Sequence, residues 1–223
     1  MIATRIVVPA ALAAFFLAVP LWGQDLSTYR DFHLGMRLPE VLKAIGDNSP
    51  RLTEIQKRPD LVQQVDWQLE RYSFKSLDPV SSMLFSFCNG ELFQISVRYD
   101  RGKTMGLTSE DLIESISEKY GTATRPDVDL TFPTSEESVK VIARWEDAQY
   151  SFNLVRFSYQ TNLGIIAFSK HLDTSVRASI AEARRLDTQE APQKELEAKK
   201  KLQAADDLAL EKARTINKPN FLP

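Results

Sequence analysis

Cysteine and histidine are scarce in this chain of 223 residues. Because Cys88 is the only cysteine, no disulfide can form within the chain, and stability must come from a packed core. The two histidines, His33 and His171, have no further ligands at metal-site spacing, and a zinc site needs three or four converging ligands. We therefore expect no metal site and no bound cofactor.

Motifs of several enzyme classes are also missing. The sequence contains no Gly-x-Ser-x-Gly elbow, no Ser-x-x-Lys and no glycine-rich phosphate loop. Cys88 has neither a neighbouring base nor an electropositive setting, which a cysteine nucleophile requires. These absences predict no catalytic residues and a non-enzymatic protein.

Charge of one sign does not dominate. The 28 basic and 30 acidic side chains give a net charge of -2, which becomes -3 if residues 1–23 are removed, since Arg5 is the only charged side chain among them. A nucleic-acid-binding protein needs a clustered basic face. The sequence therefore predicts no nucleic-acid partner.

The one long apolar run lies at the N-terminus. Ile6–Trp22 carries no charge, follows Arg5, and is succeeded by the small residue Gly23. This layout is typical of a secretory signal. We expect residues 1–23 to be a cleaved signal peptide and the mature protein to be extracytoplasmic, either periplasmic or secreted.

A retained membrane anchor is the alternative. The apolar run is at the short end of what a membrane-spanning helix needs, and Pro9 and Pro20 interrupt it. In that case membrane contact would occur only through this uncleaved N-terminal segment. The lipoprotein route fails, because acylation needs a cysteine just after the apolar run and the only cysteine is Cys88.

A helical pattern occurs twice in the mature chain. Gly35–Gly46 aligns with Gly106–Gly121, and in both segments apolar residues recur at helical spacing before a closing glycine. Pro39 fits the first helical position of the first segment, and Thr108 with Asp111 nearly matches a capping box in the second. We predict two α+β repeats, residues 24–105 and 106–172.

Strand patterns follow each predicted helix. The first set is Asp66–Phe74, Met83–Phe87 and Glu91–Tyr99, and the second is Val139–Trp145, Tyr150–Phe157 and Leu163–Phe168. For the hairpin around Asn89, a three-residue loop with Cys88 in it would pair Phe85 with Phe93 and Met83 with Ile95. This register predicts a core that contains Phe85, Phe93, Ile95, Val97 and Tyr99.

Residues 173–223 form a charged helical extension in this interpretation. Asp173–Leu186 is predicted as a helix with Asp173 as its N-cap, and Pro192 is expected to interrupt it. Beyond Pro192, Gln193–Ile216 has a helix-forming composition and a seam consisting mostly of alanine, which favours either a solvated helix or a docking or coiled-coil element.

The predicted fold class is therefore α+β: two tandem helix-plus-antiparallel-strand repeats that form or share a sheet, followed by a long charged C-terminal helix. The repeat openings Phe32–Met36 and Thr104–Thr108 resemble those of exported modules of the β-lactamase-inhibitor-protein type and of the SmpA/OmlA lipoproteins. This chain lacks the disulfides of the former and the acylated cysteine of the latter. The resemblance implies a non-catalytic, protein-binding envelope module.

We therefore expect an exported binding or assembly module whose partner is an unknown protein in the envelope or outside the cell. The alternative is an envelope hydrolase or small-ligand carrier, which a pocket with converging Asp or Glu and Arg would favour. The candidate partner contacts are Arg156, Tyr159, Leu202 and Phe221.

Overall fold

The computed structural model describes residues 25–46, 50–69, 78–135, 137–157 and 162–220. The predicted signal peptide, the end of the predicted strand Asp66–Phe74, and the candidate contacts Tyr159 and Phe221 lie outside these residues.

The described chain is α+β, as predicted. A two-stranded hairpin comes first, and then a helix followed by four antiparallel strands occurs twice before a long C-terminal helix and a final 3-10 turn at Lys218–Asn220. The elements are β1 (Thr28–Tyr29), β2 (Phe32–His33), α1 (Leu38–Ile45), β3 (Arg51–Gln56), β4 (Val62–Gln68), β5 (Val80–Cys88), β6 (Glu91–Tyr99), α2 (Ser109–Tyr120), β7 (Asp129–Thr131), β8 (Ser138–Glu146), β9 (Tyr150–Arg156), β10 (Leu163–Ser169) and α3 (Lys170–Asn217).

Strands β3 to β10 form one antiparallel sheet of eight strands. Their order is β3-β4-β5-β6-β10-β9-β8-β7, so the last strand of each group of four lies at the centre. There Val97 of β6 pairs with Ile165 of β10. Gly164 sits at this junction because a Cβ would lie 2.2 Å from the Val97 carbonyl oxygen.

One face of the sheet carries the main core. Helices α1 and α2 and the β1–β2 hairpin all pack on this face, with Val41 and Ile45 of α1 buried against it. The Tyr120 hydroxyl at the end of α2 donates a hydrogen bond of 2.7 Å to the Thr28 carbonyl. Buried sheet residues of this core include Val65, Met83, Phe85, Ile95, Val97, Trp145, Phe152 and Ile165.

Caps fix the ends of the two short helices. Thr108 and Asp111 form the capping box that the sequence predicted, and its hydrogen bonds lower the pKa of the Asp111 carboxyl. Each helix closes at a glycine with positive φ, Gly46 or Gly121. Pro39 is the second residue of α1 rather than the first.

The predicted register of the β5–β6 hairpin is wrong. Cys88 pairs with Glu91 as the last residue of β5, so the turn contains only Asn89 and Gly90, both with positive φ. A bulge beyond Leu92 then shifts the register, and Phe85 faces Ile95.

The same bulge separates two predicted core residues. Phe93 is buried with Val62, Cys88 and Val176 on the second face of the sheet, and not beside Phe85. Tyr99 is only partly buried against the main core.

The predicted break at Pro192 is also wrong, because α3 runs without interruption for 48 residues. A proline removes the hydrogen bond to the carbonyl four residues earlier, here that of Thr188. Thr188 is exposed, so water can bind that carbonyl instead. The helix begins at Lys170 with Ser169 as its N-cap, and Asp173 lies inside the first turns, where it pairs with Arg177 at 2.7 Å.

Candidate functional site

A polar groove of about 400 Å³ lies on the second face of the sheet over β4, β5 and β6. Alternation along these strands buries Val65, Met83 and Val97 in the main core and turns their neighbours toward the groove. The lining residues are Gln64, Asp66, Gln68, Ser81, Ser82, Leu84, Ser96, Arg98, Phe132, Thr134, Ser135, Glu137 and Asn162.

The charged groups of the groove are Asp66, Arg98 and Glu137. The Arg98 guanidinium lies 3.7 Å from the Glu137 carboxylate and 4.4 Å from the centre of the Phe157 ring, which restricts its orientation. Asp66 accepts a hydrogen bond of 2.7 Å from the Gln68 amide. A groove lined by one cation and two carboxylates can bind a polar molecule that offers both donors and acceptors.

Amide and hydroxyl groups link the groove to the loop that covers its edge. The Gln64 amide donates to Ser86 at 3.2 Å and to Thr134 at 2.9 Å. The lining contains several serines but no histidine or cysteine, so no pair of nucleophile and imidazole base is assembled there. The groups that line the groove offer hydrogen-bond donors and acceptors to a polar molecule.

The first part of α3 is anchored on the body of the protein. Val176 is fully buried, and Ser179 accepts a hydrogen bond of 3.0 Å from Gln56 of β3. At the end of this part, Arg58 donates to Glu190 at 2.7 Å and to Asp187 at 3.1 Å. Arg58, together with Lys194, lowers the pKa of the Glu190 carboxyl to about 2.

Beyond Glu190 the helix leaves the body. Every described residue from 191 to 220 is exposed, and we call residues 191–217 the arm. At 1.5 Å per residue the arm is about 40 Å long. It exposes large apolar side chains, each more than half accessible: Leu196, Leu202, Leu208, Leu210 and Ile216.

The sequence-predicted contacts do not form one site among the described residues. Leu202 lies in the arm and is 66% exposed. Arg156 ends β9, where its guanidinium lies 3.4 Å from the Ser109 hydroxyl at the start of α2. Tyr159 and Phe221 stay predictions, since they fall outside the described chain.

The two histidines and the cysteine, which were considered for metal binding or catalysis, lie in different parts of the fold. His33 is exposed on β2 and His171 is exposed in the first turn of α3. Cys88 is buried, and burial raises the pKa of its thiol, which disfavours the reactive thiolate. Within the described ranges, no group of three or more His, Cys, Asp and Glu side chains is placed to hold a metal ion.

The polar groove was missed at the sequence level. Its signal was present, because Gln64 and Asp66 on β4, and Ser96 and Arg98 on β6, alternate with apolar residues. That pattern indicates a strand with one polar face, but it does not distinguish a groove from open solvent.

The chain matches no family model, and no curated protein or solved structure shows significant similarity to it. The described part of the chain also contains no helix long and apolar enough to span a membrane.

Proposed function

We propose that this chain is an exported, non-enzymatic binding or assembly module that acts through protein–protein contacts in the cell envelope. The observation that carries the proposal is the arm, in which Leu202 and Ile216 are each 66% exposed. A helix that leaves the body has no role in its core. Exposed apolar side chains along such a helix are typical of a surface that a partner helix or groove covers.

The proposal that the protein is exported rests on its N-terminal sequence. The basic residue Arg5, the uncharged run Ile6–Trp22 and the small residue Gly23 support secretion with cleavage near residue 23. Mass spectrometry of the native protein is expected to find a mature N-terminus at Gln24 or Asp25.

The body is proposed to be a tandem repeat, as in the β-lactamase-inhibitor-protein and SmpA/OmlA types of module. Support comes from the two successive groups of one helix and four strands, and from the mirrored order of their strands in the sheet. Helices α1 and α2 also contribute to the same core cluster. In this proposal the two repeats form a platform, and α3 carries the arm away from it.

The arm is tested by site-specific crosslinking in intact cells. A photo-reactive amino acid replaces Leu202, and the matched control replaces Lys200, which lies on the opposite side of the same helix turn. The proposal expects a protein adduct from position 202 and little from position 200. Equal labelling at both positions, or none at position 202, would reject the arm as a specific contact surface.

A small-ligand carrier is the second candidate, and the polar groove favours it. Asp66 and Glu137 converge there with Arg98, the combination of charges that suits a zwitterionic or hydroxyl-rich molecule. Native mass spectrometry of the protein purified from its host would detect such a ligand. Its absence from an Arg98→Gln variant, with retention in an exposed control such as Arg101→Gln, would locate the ligand in the groove.

A further inference from the structure

One face of the arm follows a heptad pattern. With Leu202 assigned to position a, the a positions are Glu195, Leu202, Ala209 and Ile216, and the d positions are Ala191, Ala198, Ala205 and Lys212. All eight residues are exposed. Six of the eight residues are apolar, and the pattern extends over more than three heptads. Apolar a and d positions over this length are typical of a two-stranded coiled coil.

The two charged residues of this seam have opposite signs and lie near its opposite ends. In an antiparallel pair of identical helices, each a residue packs in a layer with a d residue of the other copy. If Leu202 of one copy faces Ala205 of the other, then Glu195 faces Lys212 in two symmetrical layers.

The remaining layers of this register are apolar. They place Ala198 opposite Ala209 and Ile216 opposite Ala191. A shift by one heptad would place Glu195 opposite Ala205 in one direction, or Lys212 opposite Leu202 in the other. Either shift leaves charges in the seam without partners, so the charge pairs select one register.

Charges beside the seam support the same register. Lys199 and Asp206 occupy e positions, and in this arrangement they face each other twice across the two-fold axis. In the described chain, the ion pairs found include neither Asp206 nor Lys212, whereas Glu195 and Lys199 pair with each other at 2.9 Å. Both of these side chains are largely exposed, so association replaces one weak surface pair in each copy by the intermolecular pairs.

A parallel, in-register pair is disfavoured by the same residues. It would place Glu195 against Glu195 and Lys212 against Lys212 in the seam. Like charges at such positions are destabilising. Beside the seam, repulsion between Lys194 and Lys199 would be offset by attraction between Lys201 and Asp206. A parallel pair would also bring the two bodies side by side, whereas the antiparallel pair keeps them about 40 Å apart along the arm axis.

We infer that the occupant of this surface is a second copy of the chain, and that two arms form a symmetric antiparallel coiled coil with Glu195 of each copy paired to Lys212 of the other. This inference rests on the proposed function, in which the arm is a protein contact surface. It makes the protein a dimer whose two bodies, each with its polar groove, are held at opposite ends of a short rod.

Charge exchange tests the inference, with association measured by sedimentation over about 1–100 μM. The mature wild-type chain is expected to dimerise. Glu195→Lys or Lys212→Glu alone replaces two attractive contacts by two repulsive ones and should weaken the dimer at least about tenfold. Glu197→Lys and Lys200→Glu, at outer positions of the same helix, make the same charge changes and should leave the dimer intact.

The decisive result comes from a double variant in which both charge pairs are restored. The double variant Glu195→Lys with Lys212→Glu should dimerise like the wild type, because both pairs are restored with reversed polarity. In a parallel pair, the double variant would keep the repulsions of the wild type, and neither single change would weaken it. A monomeric wild type, or a double variant that stays weak, overturns the inference.

The same measurements separate this inference from the proposed function. If the wild type is monomeric while position 202 crosslinks a different protein, only self-association is rejected. If position 202 crosslinks nothing, the arm itself is rejected as a contact surface.

Discussion

At the scale of single residues, Arg30 and Asp78 join the N-terminal hairpin to the sheet. The guanidinium makes two hydrogen bonds of 2.7 Å to the carboxylate, and Asp78 also accepts from the Val80 backbone. The hydrogen bonds from Arg30 hold the pKa of Asp78 below its ordinary value of 3.8. Bidentate geometry makes this pair stronger than an ordinary surface pair, although both side chains are partly exposed.

Asp78→Asn should therefore lower the free energy of unfolding by about 1 kcal/mol at neutral pH. Because the pKa of Asp78 is lowered in the folded state, its contribution is present above pH 3.8 and is lost as the pH falls through the folded-state pKa. Urea unfolding of both proteins at pH 7 and pH 3 checks this. The difference between them should shrink at the lower pH, and the exposed control Asp31→Asn should show little difference at either pH.

A second residue-scale prediction concerns Gly164. A Cβ there would lie 2.2 Å from the Val97 carbonyl oxygen and 2.6 Å from the Phe157 ring, so Gly164→Ala has to separate β6 from β10. We expect a loss of about 3 kcal/mol in thermal or urea unfolding. Gly102→Ala is the control, because its Cβ would approach only the movable Asp100 carboxylate. Equal stability of the two variants would contradict the close approach at the central junction.

At the scale of elements, the sequence patterns predicted the helices and strands with a clear apolar period and missed the two edge strands of the sheet. Helices α1 and α2 were predicted because apolar spacing and capping residues mark them. Strands β3 and β7 were missed because they are the outermost strands, and Arg51–Gln56 has an exposed, mainly polar sequence that resembles a loop.

Two element-scale errors, the hairpin register and the helix break, have different causes. The bulge beyond Leu92 turns Phe93 to the second face of the sheet, where it packs with Val176 of α3. This tertiary contact is not encoded in strand alternation. The rule that proline ends a helix failed at Pro192 because that turn is surrounded by water and strong helix formers.

The anchored part of α3 and the arm should contribute differently to the stability of the protein. Truncation after Glu190 removes only exposed residues of the described chain, so the melting temperature of the body should change by less than about 4 °C. Val176→Ala, in the anchored part, should cost about 2 kcal/mol because it leaves a cavity beside Phe93. Calorimetry of both variants distinguishes the parts. A large loss on truncation would mean that the arm belongs to the core.

At the scale of the whole molecule, the two halves complete each other at a single junction. Each half carries its own helix and four strands, but β6 and β10 are edges until they pair with each other. An unpaired central strand exposes a row of backbone donors and acceptors.

Separately produced halves, residues 25–105 and 106–220, should therefore be poorly folded or aggregated. Co-expression should yield a soluble complex with the circular dichroism of the intact chain, because the split lies next to Met105, which is 77% exposed. Two halves that each fold as stable monomers would contradict the dependence on the β6–β10 junction.

The central junction also determines when the eight-stranded sheet can be completed. Val97 and Ile165 pair across 68 positions of sequence, so the first half of the sheet is made long before its neighbour β10 exists. Until then the nascent chain presents β6 as an unprotected edge, and the loop that must close to cover it is long. In an exported chain, as proposed, the sheet can therefore close only after β10 has also crossed the membrane, and until then the incomplete chain exposes this edge to chaperones.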